Sequence, residues 1–251
     1  MFSVRKTTKF HGDSNFYVLL YIILITALLI FNFGKDYLVI FLSSSFLHIL
    51  IETGLAISGI RKGSTVLFGC KLPKAIEILL RSFVEGPAFC VPAYFLADQF
   101  ILGNTFVSAI ISICIVGSAA FYLAFTDRYH LRRIPTDDDI LISRRAMTKP
   151  KAVMLLALIN TICISMMFLI PSSSREHAFA YLISYSLFVL LFYFINYNMG
   201  VRYIELYDPV TKRYHKPGAL MQASGLFYDS AYEMALLISL AYWIPYYMGL
   251  F

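Results

Sequence analysis

The sequence predicts an all-α protein, a polytopic integral membrane bundle of seven transmembrane helices. Its 251 residues are 59% hydrophobic and only 14% charged, so a soluble fold would lack the polar side chains that cover a protein surface. The apolar residues gather in runs of about 20, the length that crosses a hydrocarbon core about 30 Å thick. These runs and their short loops use nearly the whole chain, which predicts a single transmembrane domain over residues 1–251.

Seven apolar runs, separated by charged or turn-forming residues, mark the predicted spans. They cover residues 16–34, 37–60, 74–102, 105–126, 152–171, 177–200 and 226–250. The first run follows basic residues as in a signal peptide, but it is too long and has no small-residue cleavage site, so a retained span is expected. Gly86, Pro87 and Pro92 predict a kink in the third span.

Basic residues lie almost entirely on one side of these spans. When loops alternate between sides, eighteen of the twenty-one lysines and arginines fall on the side of the N-terminus. The positive-inside rule therefore places the N-terminus in the cytosol and the C-terminus outside. The endoplasmic reticulum and a bacterial inner membrane fit this pattern equally. Topology also explains the net charge of +6 without nucleic acid as a partner.

Three smaller features complete the topology. In the longest loop, residues 127–151, Thr136 and Asp139 have the spacing of a capping box, which predicts a short interfacial helix with Arg144 and Arg145 toward lipid headgroups. A metal-diphosphate site would need a second acidic cluster, so no metal or cofactor is expected. The alternative is a metal held by His48 together with carboxylates. The four cysteines stand singly, which indicates neither a disulfide framework nor a zinc site. An outer aromatic belt is predicted at Tyr242, Trp243, Tyr246 and Tyr247.

Ionisable residues inside the spans form the candidate functional site. Each costs about 2.5–3.5 kcal/mol at mid-bilayer and therefore needs a partner or a purpose. Counting from the predicted cytosolic ends places Glu52, Arg81 and Glu233 at one level, with His48 and Glu85 about one helical turn deeper. A single cavity open toward the cytosolic half of the membrane would produce this agreement. The full set is His48, Glu52, Glu77, Arg81, Glu85, Asp229 and Glu233.

The balance of charges within the spans predicts protonated acids. One arginine and one histidine cannot neutralise five carboxylates, and a desolvated carboxylic acid can act as a general acid or carry a proton. An alternative is that Arg81 only neutralises one acid, which could be Glu77, Glu52 or Glu85, in a buried ion pair. Candidate catalytic residues are His48, Glu52, Glu85 and Glu233. Candidate substrate-binding residues are Arg81, Asp229 and Asn160, whose side-chain amide could orient a polar headgroup or bond across helices.

Part of this pattern resembles the emopamil-binding-protein (EXPERA) family, to which sterol Δ8-Δ7 isomerase belongs. His48 and Glu52 are similar to its H-x-x-x-E segment, and Glu85 is similar to the glutamate on its next span. The following span has a glycine, a tyrosine and a Thr-acid pair, to which Gly117, Tyr122 and Thr126-Asp127 are similar. The resemblance covers spans two to four, and this chain departs from it in span number and in lacking a tryptophan after Asn160.

The resemblance implies a mechanism. His48, Glu52 and Glu85 would donate and accept protons around a carbocation-like intermediate in an apolar cavity, with Tyr122 at the substrate. Fungal membrane-bound terpene cyclases are also similar in outline, with one early intramembrane acid, as at Glu52, and one in the last span, as at Asp229.

The sequence thus predicts a multi-pass membrane enzyme that protonates, isomerises or cyclises a sterol-like or isoprenoid-like substrate among membrane lipids. A proton-coupled carrier or channel, in which the same acids relay protons, is one alternative. Another is a structural subunit of a membrane complex or homo-oligomer, in which the polar face of span three meets a partner. The sequence has no internal repeat, which disfavours an inverted-repeat transporter.

Overall fold

The structure is a computed structural model of the chain. It describes residues 2–7, 12–57, 65–133, 143–146 and 168–251, with further helical positions at 154, 158, 161–162 and 165–166. Of residues 2–7, 55, 130–133, 143–146, 173 and 232–240 only the backbone is described. Most of the described chain is helical, as the composition predicts.

Seven long or medium helices form the bundle within the described ranges. They are α1 Gly12–Phe33, α2 Asp36–Ile57, α3 Lys74–Glu85, α4 Pro87–Ile101, α5 Thr105–Arg133, α6 Ser172–Asn198 and α7 Ala219–Tyr247. Six of the predicted spans coincide with these helices, although α5 and α7 extend several residues further toward the loops. The predicted fifth span, residues 152–171, lies largely outside the described residues.

Four of the described helices are long and apolar enough to cross a membrane. They cover Gly12–Phe33, Asp36–Gly54, Thr105–Tyr129 and Ser174–Asn198. These correspond to the first, second, fourth and sixth predicted spans, so length and hydropathy support a membrane-inserted helical protein. The count of seven spans and the orientation of the termini stay predictions.

The third predicted span is divided at Gly86 into α3 and α4, at the place where the sequence predicts a kink. Gly86 interrupts the helix, and Pro87 begins α4, where a missing N–H leaves no helical hydrogen bond unmade. A Cβ atom on Gly86 would lie 2.6 Å from the carbonyl oxygen of Ser44 on α2. Glycine therefore permits the close approach of α2 to the α3–α4 junction.

Aromatic side chains fill much of the bundle interior, where α4 packs against α2, α5 and α6, and α6 packs against α7. Tyr37, Tyr181 and Tyr185 are the largest fully buried side chains. Tyr242 and Trp243 are also buried, at 3% and 2% exposure. The predicted aromatic belt is therefore wrong for these two residues, because the end of α7 packs inward and places the Tyr242 ring 4.9 Å from that of Tyr181.

A four-stranded antiparallel sheet lies at one end of the bundle, a feature that the all-α prediction missed. A small hairpin joins β2 Val66–Leu67 to β3 Cys70–Lys71. The strands of the larger sheet are β1 Phe2–Thr7, β4 Ser143–Ala146, β5 Arg202–Asp208 and β6 Arg213–His215. Their order across the sheet is β4-β1-β5-β6. The sheet unites the N-terminal tail with the loops that follow α5 and α6, three segments that the charge pattern places on one side.

The loop after α5 differs from its prediction where it is described. Arg144 and Arg145 lie on β4, which pairs with β1. The predicted capping box at Thr136 and Asp139 lies outside the described residues.

Strand β5 anchors the sheet to α7. The side-chain amide of Gln222 donates to the carbonyl oxygen of Ile204 at 2.7 Å, and its oxygen accepts the N–H of Ile204 at 2.9 Å. The Ile204 side chain lies directly against Gly225, where a Cβ atom would collide with it. These contacts hold the sheet against the end of α7.

Candidate functional site

Helix α2 supplies one face of the candidate site. Ser44, His48 and Glu52 are spaced by four residues and so lie one turn apart on the same face. Their exposures are 0%, 4% and 3%. Because Gly86 lies against the Ser44 carbonyl oxygen, the preceding residue, Glu85, is held beside His48 one turn further along α2.

The structure brings His48, Glu52 and Glu85 together. Nε2 of His48 lies 3.0 Å from Oε2 of Glu85, and the two side chains are 5% and 25% exposed. One nitrogen or oxygen from each of the three residues lies within 4.8 Å of the others. The sequence predicts that His48 and Glu85 lie at the same depth on neighbouring spans, and in the structure the two side chains are in direct contact.

The hydrogen bond between His48 and Glu85 can hold a proton on either partner. It joins an imidazolium to a carboxylate or a neutral imidazole to a carboxylic acid. Separated charges are costly in a buried setting unless their geometry is good, so the two forms differ less in free energy here than in water. The pair is therefore suited to hold a proton and to exchange it with a neighbour.

Glu85 also lines a narrow pocket between α1, the α3–α4 junction, α5 and α6. The pocket is small, with a volume of about 30 Å³. Asn15 and Glu85 are the two polar residues among those that line it. Its apolar wall includes Val18, Val84, Ala88, Phe89, Val116 and Phe192.

Asn15 was missed by the sequence analysis. It is 1% exposed, and its Nδ2 atom has no hydrogen-bond partner among the described residues. A buried donor without a partner costs about 1–3 kcal/mol, and an oxygen atom of a ligand in the pocket would remove that cost. Asn15 precedes the predicted start of the first span at residue 16, whereas α1 begins at Gly12 and carries Asn15 into the interior.

The same cluster has the donor set of a divalent metal site. One imidazole nitrogen and two carboxylate oxygens suit ions such as Zn²⁺, Mn²⁺ or Fe²⁺, and His48, Glu52 and Glu85 can direct these atoms to one point. It is the one such group of three found in the part of the chain that the structure describes. A metal bound by His48 and Glu85 would replace the proton that now joins them.

Arg81 pairs with Glu77. Its Nε atom lies 3.6 Å from Oε1 of Glu77, with both side chains 4% exposed. Lys74 Nζ lies 3.2 Å from the other carboxylate oxygen. Spacing of three or four residues along a helix favours such local pairs. Arg81 thus takes part in a local ion pair with Glu77, and its role in substrate binding stays a prediction.

Asp229 belongs to a second buried cluster, next to the sheet. It is 0% exposed, accepts a hydrogen bond of 3.0 Å from the Tyr197 hydroxyl, and lies 4.0 Å from Nη1 of Arg202. The Arg202 guanidinium lies 4.5 Å from the centroid of the Tyr193 ring. Asp229 is thus tied to the start of β5 and is not among the residues that line the pocket beside Glu85.

Three predicted site residues remain, Glu233, Asn160 and Tyr122. The side chain of Glu233 and the whole of Asn160 lie outside the described residues. Tyr122, which the family resemblance implies at the substrate, is 38% exposed and does not line the pocket.

A third polar cluster, also missed by the sequence analysis, joins four helices at the end of the bundle away from the sheet. The Tyr37 hydroxyl donates to Oδ2 of Asp98 at 2.6 Å, and Nε2 of His177 lies 2.8 Å from Oδ1. Nδ1 of His177 lies 2.8 Å from the Tyr242 hydroxyl. The network ties α2, α4, α6 and α7 together. The four residues of this cluster lie near span ends that the predicted topology places on the same side of the membrane. That shared position is the sequence feature from which the cluster could have been predicted.

Comparison with models of known protein families, with curated proteins and with solved structures finds no significant match to this chain. The resemblance to the emopamil-binding-protein family therefore stays a hypothesis that rests on its short motifs. The fold and the site define a helical membrane-type protein with a buried acid–histidine cluster beside an apolar pocket.

Proposed function

We propose that this chain is a multi-pass membrane enzyme that transfers a proton to and from a lipid-like substrate of the sterol or isoprenoid class. The observation that carries the proposal is the 3.0 Å hydrogen bond between His48 and Glu85, with Glu85 in the wall of an almost wholly apolar pocket. An apolar lining with a few placed polar groups is typical of small-molecule sites. At about 30 Å³, this pocket holds a sterol or isoprenoid only after its side chains move apart. A proton donor in such a pocket suits a hydrocarbon substrate.

Glu85 is the acid of the proposed reaction because it is the member of the cluster that lines the pocket. In its protonated form it donates to one carbon of a double bond, whose π electrons form the new C–H bond and leave a cation on the other carbon. The Glu85 carboxylate then removes a proton from a carbon next to the cation, and the electrons of that C–H bond form the shifted double bond. The reaction consumes no net proton.

The other site residues support this cycle. His48 holds the Glu85 carboxyl group in place and exchanges its proton with Glu52, which lies on the same face of α2 one turn away. The free Nδ2 donor of Asn15 binds an oxygen atom of the substrate, such as a hydroxyl group, and so orients the double bond toward Glu85.

The proposal includes seven spans with the N-terminus in the cytosol. Eighteen of the twenty-one basic residues on one side support this topology. So does the β-sheet, because three of the basic segments meet in it at one end of the bundle. Both the endoplasmic reticulum and a bacterial inner membrane are suitable locations.

The test is conversion of a panel of sterols and isoprenoids by the purified protein in nanodiscs, with products separated by chromatography and mass spectrometry. We expect isomerised product from the wild type and a rate about 10²–10⁴-fold lower in Glu85→Gln. Glu176→Gln, a change of the same kind in the first turns of α6, should keep the wild-type rate. Full turnover in Glu85→Gln, or pH-driven uptake of the compounds without conversion, would contradict the proposal.

A further inference from the structure

A second, larger cavity lies away from the acid–histidine cluster, in a groove between α6, α7 and β5. It has a volume of about 590 Å³. The groove is open to the outer surface of the bundle, and Leu187, Phe194 and Phe227 remain 57%, 57% and 63% exposed. Its apolar wall also includes Leu190, Leu191 and Leu226.

The length of the groove matches one leaflet of a bilayer. Along α6 it runs from Leu187 to Asn198, which at 1.5 Å per residue is about 16 Å. Half of a hydrocarbon core about 30 Å thick is about 15 Å. An acyl chain that lies along α6 would therefore reach from the polar end of the groove to the middle of the membrane.

The sheet end of the groove is polar and positively charged. Lys216 and Tyr203 both line it, and Nζ of Lys216 lies 5.1 Å from the centroid of the Tyr203 ring. Among the described residues no carboxylate makes an ion pair with Lys216. The lysine is exposed, so its charge is available to a ligand at this end.

We infer that the groove binds one anionic glycerophospholipid, with its phosphate at Lys216 and Tyr203 and an acyl chain along α6 and α7. The apolar wall of leaflet length accounts for the acyl chain, and the exposed positive charge of Lys216 at one end accounts for the negative headgroup. Such a site is independent of the acid–base chemistry proposed for Glu85.

Native mass spectrometry tests this inference. The purified protein is mixed with equimolar phosphatidylglycerol and phosphatidylcholine that carry the same acyl chains, and the bound lipid is counted. We expect the phosphatidylglycerol adduct to predominate, and Lys216→Ala to lower its preference by about fivefold, the effect of one lysine at an anionic headgroup. Ala223→Trp, which fills the groove, should reduce the adducts of both lipids.

Lys35→Ala is the matched control, since it removes one exposed lysine at the other end of the bundle. It should leave the preference unchanged. Equal adducts of the two lipids on the wild type would overturn the inference, as would equal losses in Lys216→Ala and Lys35→Ala. Equal melting temperatures of the wild type, Lys216→Ala and Lys35→Ala show that the comparison is between folded chains.

Discussion

The imidazole of His48 and the carboxyl group of Glu85 are joined by a hydrogen bond of 3.0 Å, although 36 residues separate them along the chain. The contact depends on backbone as much as on side chains, because Gly86 lets the α3–α4 junction approach α2 at Ser44. The acid of the proposed reaction is thus positioned by a residue without a side chain.

The first prediction concerns that close approach. In Gly86→Ala the new Cβ atom would lie 2.6 Å from the Ser44 carbonyl oxygen, so α2 or the junction must move. We expect a loss of about 1–3 kcal/mol in the free energy of unfolding, as for other overpacked positions, together with loss of turnover. Thermal unfolding in detergent and the conversion assay measure the two effects.

Gly54→Ala is the matched control for this change. Gly54 is also in a helix near the site, but nothing lies within 4 Å of its added Cβ atom. Alanine there should stabilise the protein by about 0.4–1 kcal/mol, because it restricts the unfolded chain. Equal melting temperatures of the two variants would show that the Gly86 contact does not limit packing.

A second prediction separates stability from function at Asn15. Its Nδ2 donor is buried and has no partner among the described residues. Asn15→Leu keeps the branched shape of the side chain without its polar atoms and should stabilise the free protein by about 1–3 kcal/mol, because an unsatisfied donor is removed. The same variant should raise KM for a hydroxylated substrate. A variant that is less stable than the wild type would show that the amide is satisfied in the folded state.

A third prediction concerns metal. Acid–base chemistry at Glu85 needs a proton where a metal would otherwise lie, so we expect purified protein to contain far less than one equivalent of any transition metal by elemental mass spectrometry. Turnover should persist after treatment with a chelator. One equivalent of metal that disappears in His48→Ala would instead assign the cluster to metal binding.

Much of the helical architecture was predictable from the sequence, because apolar runs of span length have few alternatives to a helix. The pairing of His48 with Glu85 was also within reach, since the direction of each span fixes the depth of its residues. Gly86-Pro87 predicted the break in the third span, but not the contact with Ser44, which depends on how two helices pack.

Other features depended on tertiary contacts that no local pattern contains. The strands of the sheet are short, basic and far apart in the chain, so β1 and β4 have no strand signal until they pair with each other. Asp98 and His177 lie at span ends, where polar residues are common, so neither residue indicates a cluster by its position in the sequence. The sequence offered several acids as partners of Arg81, and the structure pairs it with Glu77, four residues earlier on the same helix.

The most direct test of proton transfer by Glu85 is turnover in D₂O, followed by mass spectrometry of the recovered sterol or isoprenoid. Donation of a solvent-exchanged proton from Glu85 to carbon predicts deuterium at a carbon position in the wild-type product. The label should be absent in Glu85→Gln and unchanged in Glu176→Gln. Conversion without deuterium at carbon, or equal labelling in Glu85→Gln, would contradict an acid–base role for the His48–Glu85 pair.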